Sequence, residues 1–147
     1  MAGLRTRIKI CGITRVQDAL AVVGAGADAI GLVFYDPSPR SVRIEQAREI
    51  ANAVPAFVSV VALFVNPTQE KVQEVLNNVR IDLVQFHGDE DNDFCSQFQR
   101  PFIKAIRVRQ ASDVVASSLR FPNSVGILLD SYKPGVPGGT GDTFDWS

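Results

Sequence analysis

Residues 28–65, DAIGLVFYDPSPRSVRIEQAREIANAVPAFVSVVALFV, contain one complete strand–helix–strand unit. Asp28–Phe34 is almost continuously apolar, which is typical of a strand in a sheet that is covered on both faces. Ile44–Val54 carries apolar residues at helical spacing, and Pro55 ends that helix. Phe57–Val65 is a second apolar run of strand length. This order predicts two parallel strands joined by a right-handed helical crossover.

The same alternation continues toward both termini. On the N-terminal side, a predicted strand over Ile8–Cys11 precedes a predicted helix over Val16–Val23, with Thr14 as its expected N-cap. On the C-terminal side, helices and strands alternate in the order Gln69–Leu76, Leu83–Phe86, Asp89–Gln99, Phe102–Val108, Ala111–Leu119 and Val125–Leu129. The pattern therefore predicts one α/β domain over residues 1–147, built on a parallel sheet.

Two architectures satisfy this alternation. One is an open, doubly wound sheet of the flavodoxin-like kind, and the other is part of a (β/α)₈ barrel. A whole barrel needs about 200 to 250 residues, so a chain of this length would supply only its first six units. Strand order separates the two, because a barrel keeps its strands in sequence order whereas the open sheet follows an order such as 2-1-3-4-5.

Composition and charge exclude several classes of partner. The 147 residues carry 15 basic and 16 acidic side chains, so no nucleic-acid or membrane-surface partner is expected. The N-terminus lacks the apolar core of a signal peptide, and no apolar run approaches the roughly 20 residues of a membrane span. The sequence therefore predicts a cytoplasmic protein. With one histidine and two cysteines, neither a multi-histidine metal site nor a disulfide framework is expected.

Polar side chains follow the predicted strands at the places where ligands bind. In both architectures, ligands bind beyond the carboxyl ends of the parallel strands. The residues that come at or just after those ends are Cys11, Asp36–Arg40, Asn66, Gln85, His87–Asp89, Arg107, Arg109 and Asp130. Topology alone therefore gathers a polar set at one rim of the sheet.

Cys11 and Asp130 each have two interpretations. Cys11 is either a small buried apolar residue or a base or nucleophile, because Lys9 and Cys11 share one face of their strand. Asp130 ends an uncharged strand, and it either caps the turn that follows or acts on a ligand. Neither alternative is settled by the residue pattern.

The other candidates are weighed in the same way. Arg40 follows two prolines that stiffen its loop, and it is either a solvated arginine or a carboxylate ligand. His87 is either structural or an acid–base group, and a hydrolase pairing with Cys11 lacks a third, orienting residue. Cys95 falls in a helical pattern beside phenylalanines and predicts inert packing. The glycine-rich segment 138–141 lacks the lysine of a P-loop and predicts a lid over the rim.

The rim residues lie within motifs that resemble the phosphoribosylanthranilate isomerase family, whose fold is a (β/α)₈ barrel. The resemblance begins with Lys9-Ile10-Cys11-Gly12-Ile13-Thr14 and keeps the family's order and spacing over the whole chain. The remaining matching segments are Ala25–Gly31, Phe34-Tyr35, Ser38-Pro39-Arg40, Phe64-Val65-Asn66, Gln85–Glu90, Leu128-Leu129-Asp130, Gly138–Gly141 and Phe144-Asp145-Trp146.

The resemblance implies an Amadori rearrangement of a small phosphorylated substrate, without metal or cofactor. It assigns Cys11 as the general base and Asp130 as the general acid of that reaction. Arg40 matches the arginine that contacts the anthranilate carboxylate of the substrate. Gln85 and His87 match polar substrate-binding positions in the pocket wall.

The family pattern also creates an expectation about the C-terminal end. Family members continue for about 50 residues past Phe144-Asp145-Trp146, through a seventh and an eighth strand whose loops hold the substrate phosphate. A chain that ends at Ser147 is therefore expected to be inactive alone. It is also expected to aggregate, to self-associate through the unpaired edges of its first and sixth strands, or to recruit the missing segment. The competing interpretation is a catalytically inactive fragment or an open flavodoxin-like binding module.

Overall fold

A computed structural model describes residues 3–131 and residue 143 of the chain. The predicted lid over residues 138–141 lies outside these described residues. The strands are β1 Lys9–Cys11, β2 Ala29–Val33, β3 Ser59–Phe64, β4 Leu83–Phe86, β5 Phe102–Val108 and β6 Gly126–Ser131. The helices are α1 Val16–Gly24, α2 Ile44–Ala53, α3 Gln69–Asn78, α4 Asn92–Ser96 and α5 Ser112–Arg120.

The six strands form one sheet in which every neighbouring pair is parallel. Their order is β1-β2-β3-β4-β5-β6, so each strand lies beside the next one in the sequence. This order confirms the barrel prediction and contradicts the open flavodoxin-like order. Helix α2 contacts both α1 and α3, so these three helices lie side by side along one face of the sheet.

The hydrophobic core lies between that face and the helices. Ile30, Val60 and Phe64 are fully buried there, and they pack in one cluster with Ile50 of α2 and Val75 of α3. Side chains alternate between the two faces of a strand, so the residues between these core positions point to the opposite face. The opposite face is therefore free to carry polar groups, and the site lies on it.

Several predicted boundaries are wrong, and those of β3 and α4 have a local reason. β3 begins at Ser59, because Phe57 adopts a left-handed backbone conformation with φ 69° and its side chain is fully exposed. α4 does not cover Asp89–Gln99, since the Asp91 carboxylate accepts a hydrogen bond from the Phe94 N–H at 2.8 Å and caps the helix later. Thr14 is not the N-cap of α1; Arg15 is, without a side-chain capping bond.

β6 runs to Ser131, two residues further than predicted, so Asp130 lies within the strand and not after it. None of the described helices is long and apolar enough to cross a membrane.

Candidate active site

One cavity of about 650 Å³ lies at the carboxyl ends of the strands, on the face opposite the helices. Its walls contain all five side chains that the sequence predicts as site residues: Cys11, Arg40, Gln85, His87 and Asp130. They come from four separate parts of the chain, namely the end of β1, the loop after β2, the end of β4 and the end of β6. The parallel register therefore brings together residues that are up to 119 positions apart (130 − 11).

Cys11 ends β1 with its thiol at the cavity wall. It is half-buried, is not part of a disulfide, and pairs in register with Gly31 of β2. A Cβ atom on Gly31 would lie 2.8 Å from the Cys11 Sγ and 3.1 Å from the Cys11 Cα. Because Gly31 has no side chain, β2 leaves the space that the Cys11 thiol occupies.

Arg40 reaches the same end of β1 from the loop after β2. Its guanidinium Nη1 donates a hydrogen bond to the Cys11 carbonyl oxygen at 3.3 Å, and its backbone N–H donates to the Ser38 Oγ at 3.2 Å. The guanidinium lies over Gly12, whose φ is +86°. A Cβ on Gly12 would lie 2.6 Å from both the Cδ and the Nη1 of Arg40. Gly12 is therefore needed for its backbone conformation and for the position of Arg40.

These two contacts give a paired prediction on glycines. Gly31→Ala is expected to push the Cys11 thiol away and to lower kcat about 100-fold, since a misplacement of about 1 Å costs that much in catalysis. Gly12→Ala is expected to displace Arg40 and to raise KM instead. Steady-state kinetics and circular dichroism of both variants separate misplacement from unfolding.

The chain offers matched controls for both glycine variants. A Cβ on Gly24 or Gly26 would meet no atom within 4 Å, and Gly26 also has a positive φ of 96°. Gly26→Ala therefore reports the cost of backbone strain without a site contact, and Gly24→Ala reports the effect of a methyl group alone. Equal kinetics for Gly31→Ala and Gly24→Ala would contradict the predicted packing against Cys11.

Asp130, His87 and Gln85 form a hydrogen-bonded chain across the wall formed by β4 and β6. The His87 Nε2 lies 2.9 Å from the Asp130 Oδ2, and the His87 Nδ1 lies 3.0 Å from the Gln85 Nε2. The other carboxylate oxygen of Asp130 accepts a hydrogen bond from the Ser131 N–H at 3.0 Å. One oxygen of Asp130 thus bonds the adjacent backbone, as the capping interpretation expects, while the carboxyl group also lines the cavity, and its action on a ligand stays a prediction. Both ring nitrogens of His87 are engaged, which argues against a hydrolase pairing with Cys11.

Several residues predicted at the rim do not line this cavity. Asn66 is structural, since its Oδ1 accepts a hydrogen bond from the Asp89 N–H at 2.7 Å. Arg107 lines a separate cavity of about 200 Å³.

Cys95 is 1% exposed, and its burial, with a smaller contribution from Glu90, raises the pKa of its thiol to about 12, as expected for inert packing.

A buried ion pair between Lys104 and Glu90 supports the cavity, and the residue pattern did not predict it. The Lys104 Nζ donates hydrogen bonds to the Glu90 Oε1 at 3.1 Å and to the Gly88 carbonyl oxygen at 2.6 Å. The Glu90 carboxylate also accepts from the backbone N–H groups of Gly88 and Asn66, both at 2.9 Å. This network fixes the turn that follows His87. Its signal in the sequence is a lysine inside an otherwise apolar stretch of β5.

Within the described part of the chain, no group of three or more histidine, cysteine, aspartate or glutamate residues is placed to hold a metal ion. The side chains that line the cavity include a thiol, a carboxyl group hydrogen-bonded to an imidazole, and a guanidinium. Together with the strand order, they define a (β/α)-barrel protein of the enzyme type, whose active sites form at the carboxyl ends of the strands.

Comparison with known proteins identifies the family within this class. Residues 8–147 match the sequence profile of the N-(5′-phosphoribosyl)anthranilate isomerases. The chain is 57% identical over 141 residues to an enzyme of that name from Pseudomonas fluorescens, covering 96% of this chain and 67% of the relative. It is 55% identical over 143 residues to one from Neisseria gonorrhoeae, covering 97% of this chain and 69% of the relative. The chain belongs to the N-(5′-phosphoribosyl)anthranilate isomerase family.

Solved structures of the family share the fold. The crystal structure of phosphoribosyl anthranilate isomerase from Thermotoga maritima superimposes with a TM-score of 0.86 and 41% identity, covering 97% of this chain and 69% of that one. A second structure, 40% identical with a TM-score of 0.80, covers 88% of this chain and 66% of that one. That protein was crystallised with reduced 1-(o-carboxyphenylamino)-1-deoxyribulose 5-phosphate. The six strands are thus the matching part of a (β/α)₈ barrel, and the chain spans about two thirds of the length of these relatives.

Proposed function

We propose that this chain carries the acid–base site that converts N-(5-phosphoribosyl)anthranilate into 1-(2-carboxyphenylamino)-1-deoxyribulose 5-phosphate in tryptophan biosynthesis. The observation that carries the proposal is the single cavity into which Cys11, Arg40 and Asp130 converge. Family membership supports the reaction, and the ligand of the 40% identical structure supports a phosphorylated small-molecule substrate.

The first step is an opening of the ribose ring that needs a general acid. Asp130 transfers its proton to the ring oxygen while the bond between that oxygen and C1′ breaks. The lone pair of the anthranilate nitrogen forms a double bond to C1′, which gives an iminium ion. Asp130 suits this step because its carboxyl group lies at the wall of the cavity, with its side chain only 19% exposed.

The second step removes the proton from C2′ and needs a general base. The Cys11 thiolate takes that proton, and the electrons of the C–H bond neutralise the iminium ion to give an enolamine. Loss of the O2′ proton and addition of a proton to C1′ then produce the ketone. These two transfers return one proton to Asp130 and release one from Cys11, so the proton count closes without an external reagent.

Arg40 is proposed to bind the anthranilate carboxylate. Its loop is held by a hydrogen bond from the Ser38 N–H to the Tyr35 carbonyl oxygen at 2.9 Å, and its guanidinium is directed along the end of β1. A planar guanidinium positioned in this way can bind a carboxylate through two parallel N–H groups. This contact would place C1′ and C2′ between the acid and the base.

Arg40→Ala is expected to raise KM by about 10- to 100-fold, which corresponds to the loss of one charged hydrogen-bonded pair. Arg40→Lys is expected to recover little of that loss, because an ammonium group cannot form the two parallel bonds. The check is a comparison with a substrate analogue that lacks the carboxylate. The analogue should lose no further affinity on mutation, and a full additional loss would refute the pairing.

The direct test of the function is an isomerase assay on the complete gene product, with separation of substrate and product by chromatography. Conversion of N-(5-phosphoribosyl)anthranilate that Arg40→Ala weakens and Asp18→Asn leaves intact is the expected result. Asp18 is a suitable control because it pairs with Arg15 on the exposed side of α1, away from the cavity. Absence of turnover by the folded protein would contradict the proposal.

Two expectations that go beyond the site stay predictions. One is the cytoplasmic location, and the other is self-association through β1 and β6, each of which pairs with a single neighbouring strand among the described residues. Substrate contact by Gln85 and His87 is also a prediction, and the geometry of these two residues favours a different role.

A further inference from the structure

The hydrogen-bonded chain Gln85–His87–Asp130 ends on the proposed general acid. An aspartate is ordinarily ionised at neutral pH, whereas a general acid must begin each turnover with its proton. His87 is the group that contacts the Asp130 Oδ2, at 2.9 Å. The protonation state of the His87 imidazole therefore determines whether His87 favours the protonated or the ionised form of Asp130.

A neutral imidazole carries one proton, on one of its two nitrogens. If the proton is on Nε2, it points at Asp130 and favours the ionised carboxylate. If the proton is on Nδ1, the Nε2 has only a lone pair, and it favours a protonated Asp130 that donates to it. The group that hydrogen-bonds to Nδ1 therefore influences whether Asp130 is protonated, although that group lies on the opposite side of the imidazole ring.

Gln85 is that hydrogen-bonding partner of Nδ1. Its Nε2 lies 3.0 Å from Nδ1, and a half-turn of the amide would bring Oε1 to the same place, so the amide can meet either form of the ring. An amide N–H₂ directed at Nδ1 donates to it and places the ring proton on Nε2. An amide oxygen directed at Nδ1 accepts from it and keeps the ring proton on Nδ1. A half-turn of the amide exchanges these two states with almost no change in shape.

Because Gln85 is buried, the orientation of its amide depends on its contact with the His87 imidazole. Gln85 is 1% exposed, so water does not satisfy it. Among the residues that the structure describes, its Oε1 has no hydrogen-bond partner. The far side of the amide is therefore not fixed by a neighbour, and its orientation follows the contact with His87.

We propose that Gln85 and His87 are positioning residues that keep Asp130 protonated; this inference rests on the proposed function. In the working state, the Gln85 Oε1 accepts from Nδ1–H, and the second proton of the pair lies between Nε2 and the Asp130 Oδ2. Asp130 gives that second proton to the ring oxygen and regains one when O2′ is deprotonated. The Nδ1 proton stays in place throughout the cycle.

The decisive measurement uses the fact that His87 is the only histidine of the 147 residues. Labelling this chain with ¹⁵N-histidine gives signals from a single imidazole, whose shifts and couplings to the ring protons identify the protonated nitrogen. The expected result at neutral pH is a proton on Nδ1, with or without a second proton on Nε2. A proton on Nε2 alone would overturn the proposal.

Variants of Gln85 supply a second, kinetic readout on the complete gene product. Gln85→Glu, in its ionised form, offers only acceptors to Nδ1, so it should keep the Nδ1 proton and lower kcat less than a variant without an acceptor does. Gln85→Leu removes the acceptor and should lower kcat further with little change in KM. A KM increase at constant kcat in both variants would instead show a substrate-binding role and overturn the proposal.

The two readouts separate this inference from the proposed function. The ¹⁵N measurement needs no substrate, so a proton on Nδ1 together with a folded but inactive complete gene product refutes the isomerase proposal and leaves the tautomer assignment standing. An active isomerase with the proton on Nε2 alone refutes only the role given to Gln85 and His87.

Discussion

Cys11→Ser and Asp130→Asn are each expected to lower kcat for the isomerisation by at least ~100-fold, with little change in stability. A serine hydroxyl is a far weaker base than a thiolate, and an asparagine amide has no proton of comparable acidity to transfer. Both side chains line the cavity and neither is in the packed core, so the substitutions remove chemistry without a large volume change. Steady-state kinetics on the complete gene product measure the effect.

Two substitutions of the same chemical types serve as controls. Cys95→Ser alters a thiol buried away from the cavity, and Asp18→Asn alters an exposed carboxylate on α1. Both are expected to keep kcat, although Cys95→Ser costs stability because it buries a hydroxyl. Rates within tenfold of the original for Cys11→Ser or for Asp130→Asn would remove that residue from the proposed mechanism.

Lys104→Met is expected to lower the free energy of unfolding by about 3 to 5 kcal/mol, the usual cost of breaking one partner out of a buried ion pair. The side chains of Lys104 and Glu90 are 4% and 3% exposed, so the variant would leave the Glu90 carboxylate buried without its cation. Urea unfolding followed by circular dichroism gives the value.

An exposed ion pair of the same residue types supplies the reference for this variant. Lys71 and Glu74 lie 3.9 Å apart, with side chains 43% and 57% exposed. Lys71→Met is expected to change the free energy of unfolding by less than about 1 kcal/mol, since exposed pairs contribute little. Equal losses in the two variants would show that the burial of Lys104 does not set the size of its effect.

The Lys104 network also links stability to the site. Glu90 and Lys104 both bind Gly88, which directly follows His87 in the chain. A variant that loosens this turn should therefore disturb the contact between His87 and Asp130. The position of the ¹⁵N signals of His87 in Lys104→Met reports that disturbance directly.

The sequence by itself determined the alternation of strands and helices, because each element carries its own periodicity of apolar residues. The bounds predicted for β4 and β5 match those of the structure. Errors fell at Phe57 and in α4, where a left-handed residue and an aspartate cap decide the boundary. The convergence of Cys11, Arg40 and Asp130 could also be predicted, since the carboxyl ends of parallel strands meet at one rim.

Only the tertiary structure decided the strand order, and with it the choice between a barrel and an open sheet, because both have the same local pattern. It alone revealed that Gly31 makes room for the Cys11 thiol and that Lys104 pairs with Glu90. It likewise joined Gln85 and His87 to Asp130, although His87 and Asp130 are 43 positions apart in the sequence. Such contacts depend on which residues become neighbours across strands, and the register that sets those neighbours is a property of the packed sheet and not of any one segment.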